Sequence, residues 1–251
     1  NIVFVGTRPP VSFFAYPGKK SFLSPEGAKL IEVANVYQDG RYALNCLNDL
    51  CKGKKIDKRF IPSGIIDVPQ GGDLSVDNLG PLMASLLPED TIVSNEAGTS
   101  GFIFASHVWD AKPCDWLSIT GGSIGQGIPV ATGAAVAAPD RPVVCLQGDG
   151  GAMYTIQSLW TQARESLNVT NVIFSNKSYA ILQVELERVG ALKTGDRAKS
   201  MLSMDNPEIN WVSLSNSLGV PAKRTLTVEE FRKSFQEGLN TDGPSLIEIV
   251  V

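Results

Sequence analysis

The residues best placed to do chemistry are Asp149 and Asn176. Asp149 lies in Gly148-Asp149-Gly150-Gly151, directly after the apolar run Val143–Gln147. Asn176 follows the next apolar run, Val172-Ile173-Phe174, with 25 residues between Gly150 and Asn176. One carboxylate and one amide oxygen suit a hard divalent cation. Mg²⁺ takes an octahedron of oxygens, few from protein and the rest from phosphate and water. The glycines serve the same ligand: without Cβ atoms the backbone can approach a phosphate and aim N–H groups at it. A helix that starts there adds its positive N-terminal end. A bare Gly-Asp-Gly is also ordinary turn chemistry. What distinguishes this one is the strand before it, the helix after it and the asparagine beyond the next strand.

For Asp149 and Asn176 to meet, their strands must be parallel neighbours, because strand–helix–strand then returns both carboxyl ends to one edge. Strand-like runs cover residues 1–5, 29–34, 91–94, 116–119, 142–147, 169–174 and 244–251. Helix-like runs cover residues 40–52, 76–87, 125–138, 152–166, 211–218 and 228–239. This alternation predicts a doubly wound α/β parallel sheet with helices on both faces. The strands are apolar throughout, as burial on both faces requires, and ligands in such sheets sit at the carboxyl ends. The polar stretch 53–73, with Pro62-Ser63-Gly64 and Gly71-Gly72, reads as a connection between domains.

Other candidates are weaker. His107 is the one histidine, on a helical run from Phe102 to Val108, and reads as a packing or surface residue. A Ser-His-Asp device would have to use it, yet no G-x-S-x-G elbow is present. Gly18-Lys19-Lys20-Ser21 lacks the earlier glycine of a phosphate loop, and Gly121-Gly122-Ser123-Ile124-Gly125 does not fit G-x-G-x-x-G. Asn95-Glu96-Ala97-Gly98-Thr99 follows a strand end, where Gly98 and Thr99 either reach a ligand or leave Thr99 or Ser100 as a helix N-cap. None of the four cysteines forms C-x-x-C, and Cys145 sits in an apolar run as a small core residue.

Strand, Gly-Asp-Gly, about 25 residues and then Asn resembles the thiamine-diphosphate signature. The wider resemblance, over almost the whole chain, is to the family of acetolactate synthase, pyruvate decarboxylase and benzoylformate decarboxylase. It implies that residues 74–251 are the diphosphate-binding domain and residues 61–73 a linker. Residues 1–60, with Gly6-Thr7-Arg8-Pro9-Pro10 and Phe13-Phe14-Ala15-Tyr16-Pro17-Gly18, would be the end of a Rossmann-like central domain. The stretch Tyr154–Trp160 is closer to benzoylformate decarboxylase than to acetolactate synthases.

The resemblance assigns roles residue by residue. Asp149 and Asn176 would bind Mg²⁺ through their side chains and Ser178 through its carbonyl. Gly148, Gly150 and Gly151 would meet the diphosphate, and Tyr179 and Ala180 would close the site. The carbonyl of Gly122 would accept from the pyrimidine amino group, Ile124 would wedge between the cofactor's rings, and Gly98 and Thr99 would contact the cofactor. Leu182 and Glu185, three apart on one helix face, would reach the substrate, unless Glu185 turns to pair with Arg188.

The implied activity is decarboxylation or carboligation of a 2-oxo acid. No catalytic residue is assigned within this chain. The family's glutamate belongs to an N-terminal pyrimidine-binding domain, supplied by the same or another chain in a homodimer or homotetramer. The strand-like start at Asn1, without an initiator Met, reads as a part cut from something longer, and the chain by itself is expected to be inactive. A flavin is left open, since some relatives carry one. The competing reading is a non-catalytic module for Mg²⁺-diphosphate or a nucleotide.

Composition is consistent with a packed α/β chain: 251 residues, 43% hydrophobic and 19% charged, with a formal net charge of -4. No basic run points to nucleic acid or an anionic membrane, and no apolar stretch is long enough to span a bilayer. The cysteine usage suggests a reducing, cytoplasmic setting.

Overall fold

A computed structural model describes residues 1–52, 67–107, 110–191 and 195–251. The part of the connection that includes Pro62-Ser63-Gly64, and Val108 of the helical run, lie outside the described residues. The chain divides into two compact units, the first taking the N-terminal segment together with a later stretch that begins at Glu185.

In the first unit, β1 (Ile2–Val5) pairs in parallel with β2 (Leu30–Ala34), and α1 (Gly40–Leu50) follows. Among its described residues, Phe4 and Ala34 are the buried apolar ones. Asp39 caps α1, its carboxylate accepting the Tyr42 N–H at 2.9 Å.

The second unit is built on six parallel strands: β3 (Ile92–Glu96), β4 (Asp115–Ser118), β5 (Val143–Gly148), β6 (Val169–Ser175), β7 (Ala222–Thr225) and β8 (Ser245–Val250). Their order across the sheet is β4-β3-β5-β6-β8-β7. The central strands are buried on both sides because successive side chains enter different cores. Val144, Leu146, Val172 and Phe174 face a core built with α2 (Val76–Leu86), α3 (Gly98–His107) and α10 (Val228–Leu239). Val143, Cys145, Val169 and Ile173 face the other, built with α4 (Gly127–Ala137), α5 (Asp149–Thr155), α6 (Ser158–Arg164) and α9 (Trp211–Ser217). Capping boxes start α2 at Ser75 with Asn78 and α10 at Thr227 with Glu230. From β3 the chain crosses first to β4 and then back to β5 on the other side, so a topological switch point lies between β3 and β5.

The doubly wound sheet is as the sequence predicts, with local corrections. The single helix expected over 152–166 is two: α5 opens at Asp149, and a turn at Ile156–Gln157 separates it from α6. Two elements were not anticipated. The strand β7 is a short edge strand whose Lys223 and Arg224 are exposed, so it lacks the apolar signal of the central strands. The other is the short α8 (Asp196–Ser200), which follows the anticipated helix α7 (Ala180–Arg188). No helix of the described residues is long and apolar enough to cross a membrane.

Candidate functional site

The carboxyl ends of β5 and β6 bring Asp149 and Asn176 to one place. The two strands are in register, Gly148 opposite Phe174, so the loops that follow them are neighbours. Asp149 is only 3% exposed. Its Oδ1 accepts the Gly150 N–H at 2.8 Å and its Oδ2 accepts the Lys177 N–H at 2.7 Å. Burial pushes its carboxyl above the usual range, and the backbone donors pull it part of the way back. The Asn176 Oδ1 accepts the Ser178 N–H at 3.0 Å, an Asx turn. Carboxylate and amide oxygens each have a further lone pair, so both side chains keep acceptor capacity beyond these bonds.

The Asn176–Ser178 loop is supported from behind. Lys177 holds a positive φ of 55°; its carbonyl accepts the Met204 N–H at 2.7 Å, and its Nζ lies 3.0 Å from Glu208. Glu208 also binds Arg224 at 2.7 Å, and these two partners, Arg224 foremost, hold its carboxyl below the usual range. The Ser178 hydroxyl donates to the Leu202 carbonyl at 3.0 Å, and the Tyr179 N–H donates to the same carbonyl at 2.9 Å.

The glycines after β5 are required by space. A Cβ on Gly150 would stand 2.8 Å from the Tyr179 ring, and one on Gly151 would stand 2.7 Å from Glu96 Oε1. Gly148 packs against the backbone of Ala97, placing the Gly98–Thr99 segment beside the Asp149 loop. Gly98 opens α3, so Thr99 and Ser100 lie within its first turn and are not N-caps. Ala180 opens α7.

Across the switch point lies the Gly121–Gly127 turn. Gly121 and Gly122 adopt positive φ values of 60° and 71°, which a side chain would strain. The Gly122 carbonyl accepts the Ile124 N–H at 2.9 Å, and Ile124 is 52% exposed. Gln126 ties the turn to β4: its Oε1 accepts the Thr120 N–H and its Nε2 donates to the Ser118 carbonyl.

Of the two residues predicted to reach a substrate, Leu182 donates its N–H to the Tyr179 carbonyl at 2.9 Å, and Glu185 has side-chain partners of its own. Glu185 pairs with Arg188 at 2.8 Å and accepts from the Tyr16 hydroxyl at 3.3 Å, which is the paired alternative. Leu182 is 47% exposed. His107 lies 3.3 Å from Asp110, three residues along the chain, and outside the cluster of loops. Sequence reasoning missed Glu96 and Gln147, buried register partners at the ends of β3 and β5. The available signal was a polar residue ending each apolar strand.

The chain is similar in sequence and fold to known proteins. Residues 96–249 match the family described as "Thiamine pyrophosphate enzyme, C-terminal TPP binding domain". The "Putative acetolactate synthase large subunit IlvX" of Mycobacterium tuberculosis is 42% identical, covering 100% of this chain and 48% of that protein. The benzoylformate decarboxylase of Pseudomonas aeruginosa is 29% identical, covering 72% of this chain and 33% of that protein. The solved structure of a thiamine diphosphate-dependent 4-hydroxybenzoylformate decarboxylase from Rhodococcus jostii RHA1 superposes with a TM-score of 0.78 at 28% identity, covering 98% of this chain and 47% of that one. The chain thus spans about half the length, or less, of the relatives it matches. The chain therefore belongs to the thiamine pyrophosphate enzyme family, its residues 96–249 matching the C-terminal TPP binding domain.

Proposed function

We propose that this chain holds the diphosphate of thiamine diphosphate through Mg²⁺, as part of a 2-oxo acid decarboxylase or carboligase. The observation that carries this reading is the convergence of Asp149 and Asn176 after adjacent parallel strands. The residues fit the group. The donor set is hard oxygen, as Mg²⁺ prefers. Ile124 presents apolar surface beside a turn of glycines.

Asp149, Asn176 and the Ser178 carbonyl hold the metal, and Gly148, Gly150 and Gly151 bring backbone to the diphosphate. Gly98 and Thr99, at the start of α3, would flank it, Gly122 and Ile124 would receive the cofactor's bend, and Tyr179 and Ala180 would close the side nearest α7. When bound, thiamine diphosphate supplies an electron sink for carbanion chemistry at a keto carbon. This chain's residues bind and orient the group. The proton work at its pyrimidine falls to a pyrimidine-binding segment of the same or another chain. Leu182 leads toward the substrate, while Glu185 is engaged by Arg188 and Tyr16.

The test is calorimetric titration with thiamine diphosphate, ADP and NAD, each with and without Mg²⁺. Mg²⁺-dependent binding of thiamine diphosphate alone supports the reading. Equal binding of ADP would favour a general diphosphate module instead.

A further inference from the structure

Glu96 is buried, 7% exposed, and its carboxylate meets no basic side chain among the described residues. Both oxygens go to backbone. Oε1 accepts the Gly125 N–H at 2.5 Å and Oε2 accepts the Gly127 N–H at 2.6 Å. Such charge-assisted bonds are short and roughly twice as strong as neutral ones. Other groups hold the carbonyls of the same two residues. Thr155 donates to Gly125 at 2.6 Å, and Ser94 donates to Gly127 at 2.8 Å. Glu96 therefore accepts the Gly125 and Gly127 N–H groups, at the end of a turn whose Gly121, Gly122 and Gly125 all have positive φ. A glycine-rich turn has the most conformational freedom to lose, so its shape depends on what fixes it.

A second observation extends this. Gln147, the register partner of Glu96, is fully buried, and neither atom of its amide has a hydrogen-bond partner among the described residues. A Cβ on Gly151 would lie 2.6 Å from Gln147 Nε2 and 2.7 Å from Glu96 Oε1, and a Cβ on Gly127 would strike both side chains too. The two side chains fill the gap between the starts of α4 and α5. Burying a carboxylate and an unsatisfied amide is costly, and apolar residues would fill the same gap without that cost.

We infer that Glu96 is a positioning residue: it fixes the Gly121–Gly127 turn from beneath in the shape that receives the cofactor. Beside Gln147, it packs that turn against the first turn of α5, which carries Asp149. The inference rests on the reading of this turn as a cofactor segment, and it acts on the turn rather than on reacting atoms.

The variant that tests it is Glu96→Gln, nearly the same shape, which offers one acceptor oxygen and sets an NH₂ group against the other backbone N–H. Hydrogen exchange of the cofactor-free chain should show the Gly125 and Gly127 amides exchanging about tenfold faster or more, with β5 and β6 unchanged. Calorimetry on the same samples should show thiamine diphosphate with Mg²⁺ binding about tenfold more weakly. Glu96→Asp, which keeps the charge but withdraws it, should move both readouts in the same direction and serves if Glu96→Gln fails to fold. Unchanged exchange in a folded variant, or unchanged affinity once exchange has risen, overturns the inference. A wild-type chain that takes up no thiamine diphosphate overturns the proposed function instead, and the exchange measurement, made without cofactor, still decides whether Glu96 fixes the turn.

Discussion

The carboxylate of Asp149 accepts the backbone N–H of Lys177 at 2.7 Å, so the loops after β5 and β6 are bonded to each other directly. Asn176, one residue earlier, is carried to the same place by that bond. The approach of the two proposed metal ligands is thus secured by a bond from backbone to side chain.

Asp149→Ala should remove the thermal stabilisation that Mg²⁺ and thiamine diphosphate together confer. At a ligand concentration near 100 Kd the wild-type chain should gain about 2.7 kcal/mol, and the variant nothing. Losing a buried acceptor for two N–H groups should also cost about 1–3 kcal/mol without ligand. Urea unfolding with and without both ligands reads the two effects separately. A ligand-dependent gain that survives the substitution would exclude Asp149 from the site.

The pH dependence of the ligand-free chain should carry two opposed contributions. Burial raises the Asp149 carboxyl, so the folded state holds that proton more tightly than the unfolded chain. Stability from this group therefore rises as pH falls through the raised value and levels off below the unfolded value, about 3.9. Arg224 and Lys177 lower the Glu208 carboxyl, so its contribution is present above about 4.3 and is lost as pH falls through the lowered value. In Asp149→Asn only the second remains. The stability of this variant relative to wild type should shrink on acidification, and a difference independent of pH would contradict the assignment.

Gly150→Ala should cost about 1–3 kcal/mol, because its methyl would press on the Tyr179 ring. Tyr179→Ala makes room for it. In a double-mutant cycle the combined loss should be smaller than the sum of the single losses. Strict additivity in urea midpoints would mean that the ring does not close over Gly150.

Thiol labelling should divide the cysteines by their surroundings. Cys46 and Cys51 are exposed and should alkylate fastest. Burial and the neighbouring Asp115 raise the Cys114 thiol, so it should react more slowly. Cys145 is fully buried, and burial first, then the charge of Glu96, push its thiol far up. Mass spectrometry after timed iodoacetamide treatment should find Cys145 modified only under unfolding conditions, and its early modification would show that the core opens.

The neighbouring loops that carry Asp149 and Asn176 were readable because their signals are local: an apolar strand, its last glycine, a carboxylate, and an asparagine at the next strand's end. What joins them to the rest of the site was not. Glu96 and Gln147 read as polar residues finishing two apolar runs, and only the register of β3 against β5 makes them partners. The strand β7 was hidden for a different reason. Lys223 and Arg224 face solvent at a sheet edge, so its sequence carries no apolar run. The division between α5 and α6 was invisible because each helix alone fits the same apolar spacing. Glu185 could be placed on a helix, but its choice between substrate and Arg188 depended on Tyr16, 169 positions away.

The Gly125–Gly127 segment has both N–H groups and both carbonyls of its glycines bonded to side chains from β3 and α5. A segment held this completely does not have to fold when a ligand arrives. Capture should then be limited by encounter and not by a prior rearrangement. In stopped-flow mixing, the observed rate should climb in proportion to ligand concentration without reaching a plateau, and the turn should behave as a socket already cast.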